Sequence, residues 1–556
     1  MTRSIEIDLE RPLQKSYPYL NGLYLLLRAA GFGVLEGSGS RQKMILDKAV
    51  LQSWQALNST ERYLTLFEDG SYWDDPDDWG NDAYYNDDPD YIRDDQDEGL
   101  ESLFDDAASL FLENRLEDAR KVYDALFKVV SYINEITYFS LGQETDIREA
   151  RARYCRCVYE TADAKKRLDE FVSAMEVGVF STTNENDYDE DYPLLQDVIE
   201  ASPDEMEDLA SFLPVWKKVL DKIGTKGRVA VLLLEVVNRL EGIKGVSRLA
   251  RKWKNSQPQG YIFWLNKLKL ENDFQGIITV SIEGLKALKE GRFRERVAVF
   301  LIDAAENLND RKHLLIGKRE RFFSHRSDQN LLDLIGEAVR QQLREKELDT
   351  VIQSFKARKS MDDDEKNLYV KTLLMSGKLE NALNMVKKEK SIGWFYQSSA
   401  GVVFGSALLV LAAYSEKADT IKSLLKNYAK KESIYSGRIS IDDGSGISFY
   451  GEILKGLKQI NVTKSQTTQY LLWVEKIGKG RIDHIVSNKH RRAYERAAQV
   501  LGSLAETFAA TGQKSKADKI LHTYYGEKYK RFSAFRREIK AVLLASGLLR
   551  NSRILS

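Results

Sequence analysis

The sequence predicts a mainly α protein: an irregular α-solenoid with a small mixed unit before it and a helical domain after it. Three observations lead there. Proline is scarce, with eight residues in 556, and none follows Pro258. Proline breaks helix interiors and is common in the turns of β proteins, so its absence favours helices. Apolar residues recur at helical spacing on both sides of short turns that hold glycine or asparagine. Hydrophobic residues at 43% and charged residues at 30% describe a globular chain and rule out a wholly disordered one.

Residues 1–67 make the first unit. Leu20–Ala30 reads as an apolar helix closed by Gly31. Gly33–Glu36 and Met44–Leu46 flank the turn Gly37–Ser40 and read as a short hairpin. Lys48–Leu57 is a second helix, and Ser59 or Thr60 can cap a third over Glu61–Glu68. Helix, hairpin, helix is the outline of a winged-helix-like unit. Leu57–Phe67 (LNSTERYLTLF) resembles a stretch in plasmid- and transposon-borne bacterial proteins with such a domain. The resemblance implies a prokaryotic mobile-element or defence setting. A DNA-reading wing needs cations for phosphate, and this one offers only Arg41 and Lys43, so protein docking is the expected role.

Residues 68–102 read as an acidic linker, since Glu68–Glu98 holds 14 acidic residues against the single base Arg93 and has no helical or strand period. Residues 181–192 read as a second one. Asp187, Asp189 and Asp191 have the alternate spacing that opens a calcium loop, but Tyr192 stands where glycine is needed and Val198 where glutamate is needed. Both stretches are therefore expected to be solvated loops. Charge is bipolar along the chain: residues 1–200 carry a net −23, and the remaining residues a net +22. Glu68–Glu98 is expected to lie transiently over basic surface of the second half and to mask it from polyanions.

Helical hairpins follow, over 103–180 and then over a solenoid at 193–430. In Asp105–Val130, Ala108, Phe111 and Leu112 share one helix, Glu113–Asn114 turns the chain, and Leu116, Ala119, Tyr123 and Leu126 share the next. Asn367–Val386 repeats the scheme around Gly377, with Leu379, Ala382 and Leu383 behind it, and Tyr494–Tyr525 does so around Gly512, with Ala517 and Leu521. Trp264–Leu288 is a degenerate copy. These segments resemble tetratricopeptide-type repeats, which implies that neighbouring hairpins stack to bury their apolar faces. The spacing between the recognisable copies is irregular. At ordinary helix lengths, about eight to twelve helices are expected between 193 and 430. Phe300–Phe323 and Tyr494–Tyr525 also resemble helical-repeat regions of bacterial zinc-binding SWIM proteins; the SWIM ligand set is missing, so that resemblance implies fold and no metal.

Ser391–Ser415 carries no charge, but its solid apolar run covers only Ala407–Tyr414, so a buried core helix is expected rather than a membrane span. Residues 431–449 are rich in glycine, serine and β-branched residues and read as an exposed loop or short hairpin. It leads to a helical domain at 450–556.

No motif for chemistry is present. The histidines are His313, His325, His484, His490 and His522, and there is no HExxH, CxxC, GxxxxGK[ST] or GxSxG pattern. No catalytic residue, cofactor or metal is expected. The two cysteines, Cys155 and Cys157, exclude a disulfide scaffold and fit a reducing cytosol; on one helix they are expected at the core and its boundary. The opening residues lack an apolar leader, so a cytoplasmic location is expected.

One surface stands out. Lys489, Arg491, Arg492 and Arg496 form one basic cluster, and Lys528, Lys530, Arg531, Arg536 and Arg537 a second within Lys528–Lys540. Tyr529, Phe532 and Phe535 interleave with the second cluster, and such a pattern can stack bases while its cations hold phosphate. The favoured reading is an amphipathic helix with Phe532 and Phe535 inward and its cations in solvent. The expected function is a non-enzymatic scaffold for protein partners in a prokaryotic defence or mobile-element system, with no membrane contact. A nucleic-acid-binding regulator, using the C-terminal basic surface, is one alternative. The chain's layout also resembles the helical protein cleaved by the caspase-like protease of type III-E CRISPR systems. That resemblance implies proteolytic control through a cut near 391–449.

Overall fold

The computed structural model describes residues 104–136, 146–177, 192–224, 227–387, 400–413, 417–429, 447–552 and 554. The winged-helix-like unit at 1–67, the linker at 68–102, nearly all of the linker at 181–192 and most of the 431–449 loop lie outside them, as does the linker's expected contact with basic surface. Every regular element among the described residues is helical, and the fold is an all-α helical-repeat architecture. It divides into two compact units, Met1–Trp264 and Leu265–Ser556.

The first unit contains α1 (104–112), α2 (Leu116–Ile136), α3 (Ile147–Thr161), α4 (Arg167–Ala174), α5 (Leu195–Glu200), α6 (Leu209–Ile223) and α7 (Arg228–Trp253). Asn114, at φ 58°, reverses the chain between α1 and α2. Ala107, Leu110 and Phe111 point inward onto Ala119, Tyr123 and Leu126. Leu112, expected on that face, is 73% exposed, because the buried residues occupy positions i, i+3 and i+4 from Ala107. Tyr159, Phe171, Phe212 and Trp216 form a second cluster of mostly edge-to-face rings, 5.1 to 6.0 Å between centroids.

Buried charges in this unit hold backbone. The Glu235 carboxylate of α7 accepts the amides of Leu195 and Gln196 at 2.8 and 2.5 Å and so caps α5. Burial pushes its pKa up while those two amide bonds pull the other way. The Arg228 guanidinium donates to the carbonyls of Met175 and Pro193. Gly242, at φ 63°, kinks α7.

Cys155 and Cys157 are both fully buried, so neither is a boundary residue. Burial pushes both thiols up to about 12. Almost no thiolate then exists near neutrality, and the thiolate is the reactive form. In the native chain at pH 8, iodoacetamide is expected to leave both unmodified, and after denaturation to alkylate both; mass spectrometry reads the difference. Rapid labelling of the native chain would contradict the packing.

The helix α8 (Gln259–Leu270) carries the division between the units. The second unit continues with α9 (Phe274–Ala287), α10 (Arg292–Asn307), α11 (Arg311–Ser324), α12 (Asp328–Arg340), α13 (Arg344–Lys356), α14 (Asp363–Met375) and α15 (Leu379–Val386). From α9 to α15 each helix packs on the next. The turns at Asn272, Asn309, Gln342 and Gly377 all have positive φ, between 53° and 67°. Each closes the preceding helix with a 6→1 backbone bond: Asp273 to Leu268, Asp310 to Ala305, Leu343 to Ala338 and Lys378 to Leu373, at 2.8 to 2.9 Å. At the first two, the next residue is already the following N-cap, with Asp273 accepting the Gly276 amide and Asp310 that of His313. Within an otherwise irregular series, these four turns fall 37, 33 and 35 residues apart.

Beyond them come α16 (Ala400–Ala413), α17 (Asp419–Ala429), α18 (Phe449–Lys458), α19 (Lys464–Ser487), a 3-10 turn (Arg491–Ala493), α20 (Tyr494–Ala510), α21 (Lys514–His522), a π turn (Thr523–Lys528) and α22 (Ser533–Ala545). Between 193 and 430 there are thirteen helices among the described residues, one above the expected range, because α5 and α15 are only six and eight residues long. The apolar run is α16, buried on nearly all sides and packed against α14, α15, α17, α18, α19 and α20. No described helix is long and apolar enough to cross a membrane. A single apolar core runs from Leu315 to Leu549 and takes in the helices on both sides of residues 430–446.

Ion pairs tie helices of this unit to one another, mostly to helices that are not next in sequence. Arg319 grips Glu347 with two nitrogens at 2.6 and 2.7 Å, and Arg344 Nε meets the buried Glu452 at 2.6 Å. Lys371 meets Asp328 at 2.8 Å, and Arg294 pairs with Glu320. Most of these carboxylates are buried or half-buried, so removing one partner strands a charge.

Candidate interaction surface

The basic surface read from sequence lies where α19 ends and α22 begins. Asp483, near the end of α19, anchors it. Tyr529 donates its hydroxyl to Asp483 Oδ1 at 2.9 Å, and Lys528 Nζ reaches the same oxygen at 2.7 Å. Burial first, and then the Asp483 carboxylate, hold the phenols of Tyr524 and Tyr529 well above the ordinary tyrosine range. Tyr494, the first residue of α20, packs edge-on against Phe535 of α22 at 5.7 Å, and Phe535 against Tyr529 at 5.9 Å. These contacts bring the two basic clusters, 39 positions apart in the chain at Lys489 and Lys528, onto neighbouring elements.

Lys489 sits in the turn after α19 at φ 60° and is exposed; Arg491 and Arg492 are exposed on the 3-10 turn, and Arg496 is half-buried in α20. Lys528, Lys530 and Arg531 are exposed. Arg536 is half-buried with its guanidinium 4.3 Å from the centre of the Tyr525 ring, and Arg537 is exposed beside Glu538 at 3.7 Å. Lys540, one turn beyond Arg537 on the same exposed face, belongs with them. Its i+3 spacing from Arg537 is the sequence signal for it.

The aromatic residues do not reach solvent as a stacking platform. Tyr529 is 4% exposed and Phe535 is fully buried, while Phe532 leans on Tyr529 at 5.4 Å. Phe535 is thus inward as expected, Tyr529 is inward as well, and Phe532, expected inward, is only half-buried. Hydrophobic burial wins because Phe535, Ile539 and Leu543 form the inward stripe of α22, and Tyr529 continues that buried side ahead of the helix.

The cations themselves differ from those of the hairpins. In the hairpins Arg294, Arg319, Arg321, Arg344 and Lys371 are each neutralised by a carboxylate of another helix. At this end Lys489, Arg491, Arg492, Lys530, Arg531 and Lys540 make no ion pair with any described residue. Among the described residues no group of three or more histidine, cysteine, aspartate or glutamate side chains is placed to hold a metal. His313 and His325 each lie against a single carboxylate, of Asp310 and Glu295.

No protein-family model matches this sequence, and no curated protein matches it. What the fold defines is a class: an all-α helical-repeat protein.

Proposed function

We propose that this chain is a non-enzymatic scaffold that holds protein partners on its helical hairpins. The observation that carries the reading is the run of turns at Asn272, Asn309, Gln342 and Gly377 at near-constant spacing. Equal hairpins stacked on one another present a long, repetitive surface, the usual asset of repeat proteins in binding. A shallow cavity of about 150 Å³ lies between α9 and α10, lined by Phe274, Ile277, Phe300 and Ala304, with Lys269 and Asp303 paired at its rim. Leu270 and Leu308, adjacent in sequence to lining residues, are 74% and 43% exposed. Aliphatic anchors of this kind suit a protein partner.

The prokaryotic defence or mobile-element setting is supported by the resemblance of Leu57–Phe67. Control by a cut near 391–449 is a lesser reading. The helices on either side of residues 430–446 share one core, so a cut there would leave the two pieces held together by packing. Contact with a polyanion has its own support in the cations at the C-terminal end that have no carboxylate partner among the described residues.

The test is co-expression with the products of neighbouring genes, followed by purification and hydrogen–deuterium exchange. A stoichiometric partner should protect residues within 265–386, and the pair Leu270→Glu with Leu308→Glu should weaken it at least tenfold. A partner whose protection falls wholly elsewhere, or an affinity indifferent to both substitutions, would sink the proposal.

A further inference from the structure

We infer that the basic end of the second unit binds the phosphate backbone of duplex nucleic acid by charge alone, without reading bases. This goes beyond the scaffold reading and is tested without any protein partner.

Three observations carry it. The cations are unpaired: Lys489, Arg491, Arg492, Lys530, Arg531 and Lys540 have no carboxylate partner among the described residues, whereas the arginines between the hairpins are neutralised by glutamate and aspartate. They are held together on short connections, because Tyr494, Phe535, Tyr529 and Asp483 lock the 3-10 turn, the π turn and the start of α22 to one another. Little apolar surface lies among them: Tyr494, Tyr524, Tyr529 and Phe535 are turned into the core, while Tyr525 is half-buried against the Arg536 guanidinium and Phe532 half-buried against Tyr529.

The third point decides the partner. A protein interface is centred on fully exposed aromatic or aliphatic anchors, and here the only phenylalanine and tyrosine rings between Asp483 and Lys540 that are not buried, Tyr525 and Phe532, are half-buried against Arg536 and Tyr529. Single-stranded nucleic acid is gripped chiefly by stacking successive bases on aromatic faces, and here Tyr524, Tyr529 and Phe535 are buried while Phe532 and Tyr525 are only half-exposed. What remains is a set of guanidinium and ammonium groups, which match regularly spaced phosphates and carry no sequence information.

The experiment is fluorescence anisotropy of the full chain with a labelled duplex of random sequence over a series of salt concentrations. The variant carries Arg491→Glu, Arg492→Glu, Lys530→Glu and Arg531→Glu. The matched control carries Lys218→Glu, Lys222→Glu, Lys286→Glu and Lys289→Glu, the same charge change at exposed lysines elsewhere. Circular dichroism and melting confirm folding, and the four glutamine substitutions stand in should the glutamate version not fold. Wild type should bind at low salt, and the variant should lose at least tenfold in affinity. Its plot of log K against log salt should be shallower by about 3–4, since each phosphate contact contributes about 0.9 to that slope. The control should stay near wild type. Absence of duplex binding at low salt, or equal loss in variant and control, overturns the inference. So does tighter binding of a single strand than of the duplex, which would mean stacking. Polyglutamate competing as well as duplex at equal charge would assign the surface to an acidic protein and overturn it too.

Discussion

Gly456→Val is expected to prevent the second unit from folding, and Gly456→Ala to cost it several degrees of melting temperature. A Cβ at this position of α18 would lie 2.1 Å from the Leu374 carbonyl oxygen and 2.6 Å from that of Met375. Both obstacles are backbone of α14, so no side-chain rotation relieves them; the helices must separate. Overpacking typically costs about 1–3 kcal/mol, and an unyielding neighbour places this site at or above the top of that range. For a unit of this size each kcal/mol corresponds to about 2–4 °C. Gly480→Ala is the contrasting case. It is exposed inside α19, and an added methyl group would meet nothing within 4 Å. Alanine there should stabilise by about 0.5–1 kcal/mol through helix propensity. Thermal melts of the three variants decide the matter. Equal stability of Gly456→Ala and wild type would mean that α14 and α18 do not cross as described.

Glu506→Ala should be the most damaging polar substitution. Glu506 of α20 is completely buried and accepts the amides of Thr420 and Ile421 at 3.2 and 2.9 Å, capping α17, together with the Ser546 hydroxyl at 2.5 Å. Alanine leaves two amides and a hydroxyl buried without acceptors, and each such group costs about 1–3 kcal/mol. A loss of about 3 kcal/mol or more follows, and it adds to the lost attraction between a carboxylate and a helix N-terminus. Glu506→Gln keeps the shape and one acceptor oxygen but sets an NH2 among donors, so it should fall between wild type and alanine. Urea titration orders the three, and hydrogen exchange should show the first amides of α17 losing protection first. Indistinguishable midpoints for the three proteins would remove Glu506 from the role of cap.

The hairpins around Gly377 and Gly512 are legible in the sequence because glycine marks a left-handed turn directly. The one around Asn272 is legible only as the degenerate copy Trp264–Leu288, and those around Asn309 and Gln342 are not, although their backbones do the same thing. Asparagine tolerates the left-handed region by local hydrogen bonding, and a glutamine there is held by the helices around it. The near-regular spacing of the four turns was hidden for that reason. In the basic end, the residue types and their clusters were legible. The inward turn of Phe535 follows from the apolar stripe that Ile539 and Leu543 continue, whereas the burial of Tyr529 ahead of the helix and the half-burial of Phe532, expected inward, were decided by packing.

Proline scarcity, apolar periodicity and turn residues were enough to determine helices, because these are local properties of a few consecutive residues. They also placed α16 as a core helix, since its apolar run is too short for a bilayer. Only the tertiary structure decided which helices share a core. Gly456 against α14 and Glu506 under α17 join the C-terminal helices to the hairpins, through contacts between residues up to 86 positions apart. It also decided which cations are neutralised. An arginine next to a glutamate in sequence and an arginine facing one across two helices look alike in composition. Coulomb attraction acts through space, and only the packing brings Glu347 and Glu452 to their arginines while leaving Arg491, Arg492 and Arg531 without a partner among the described residues.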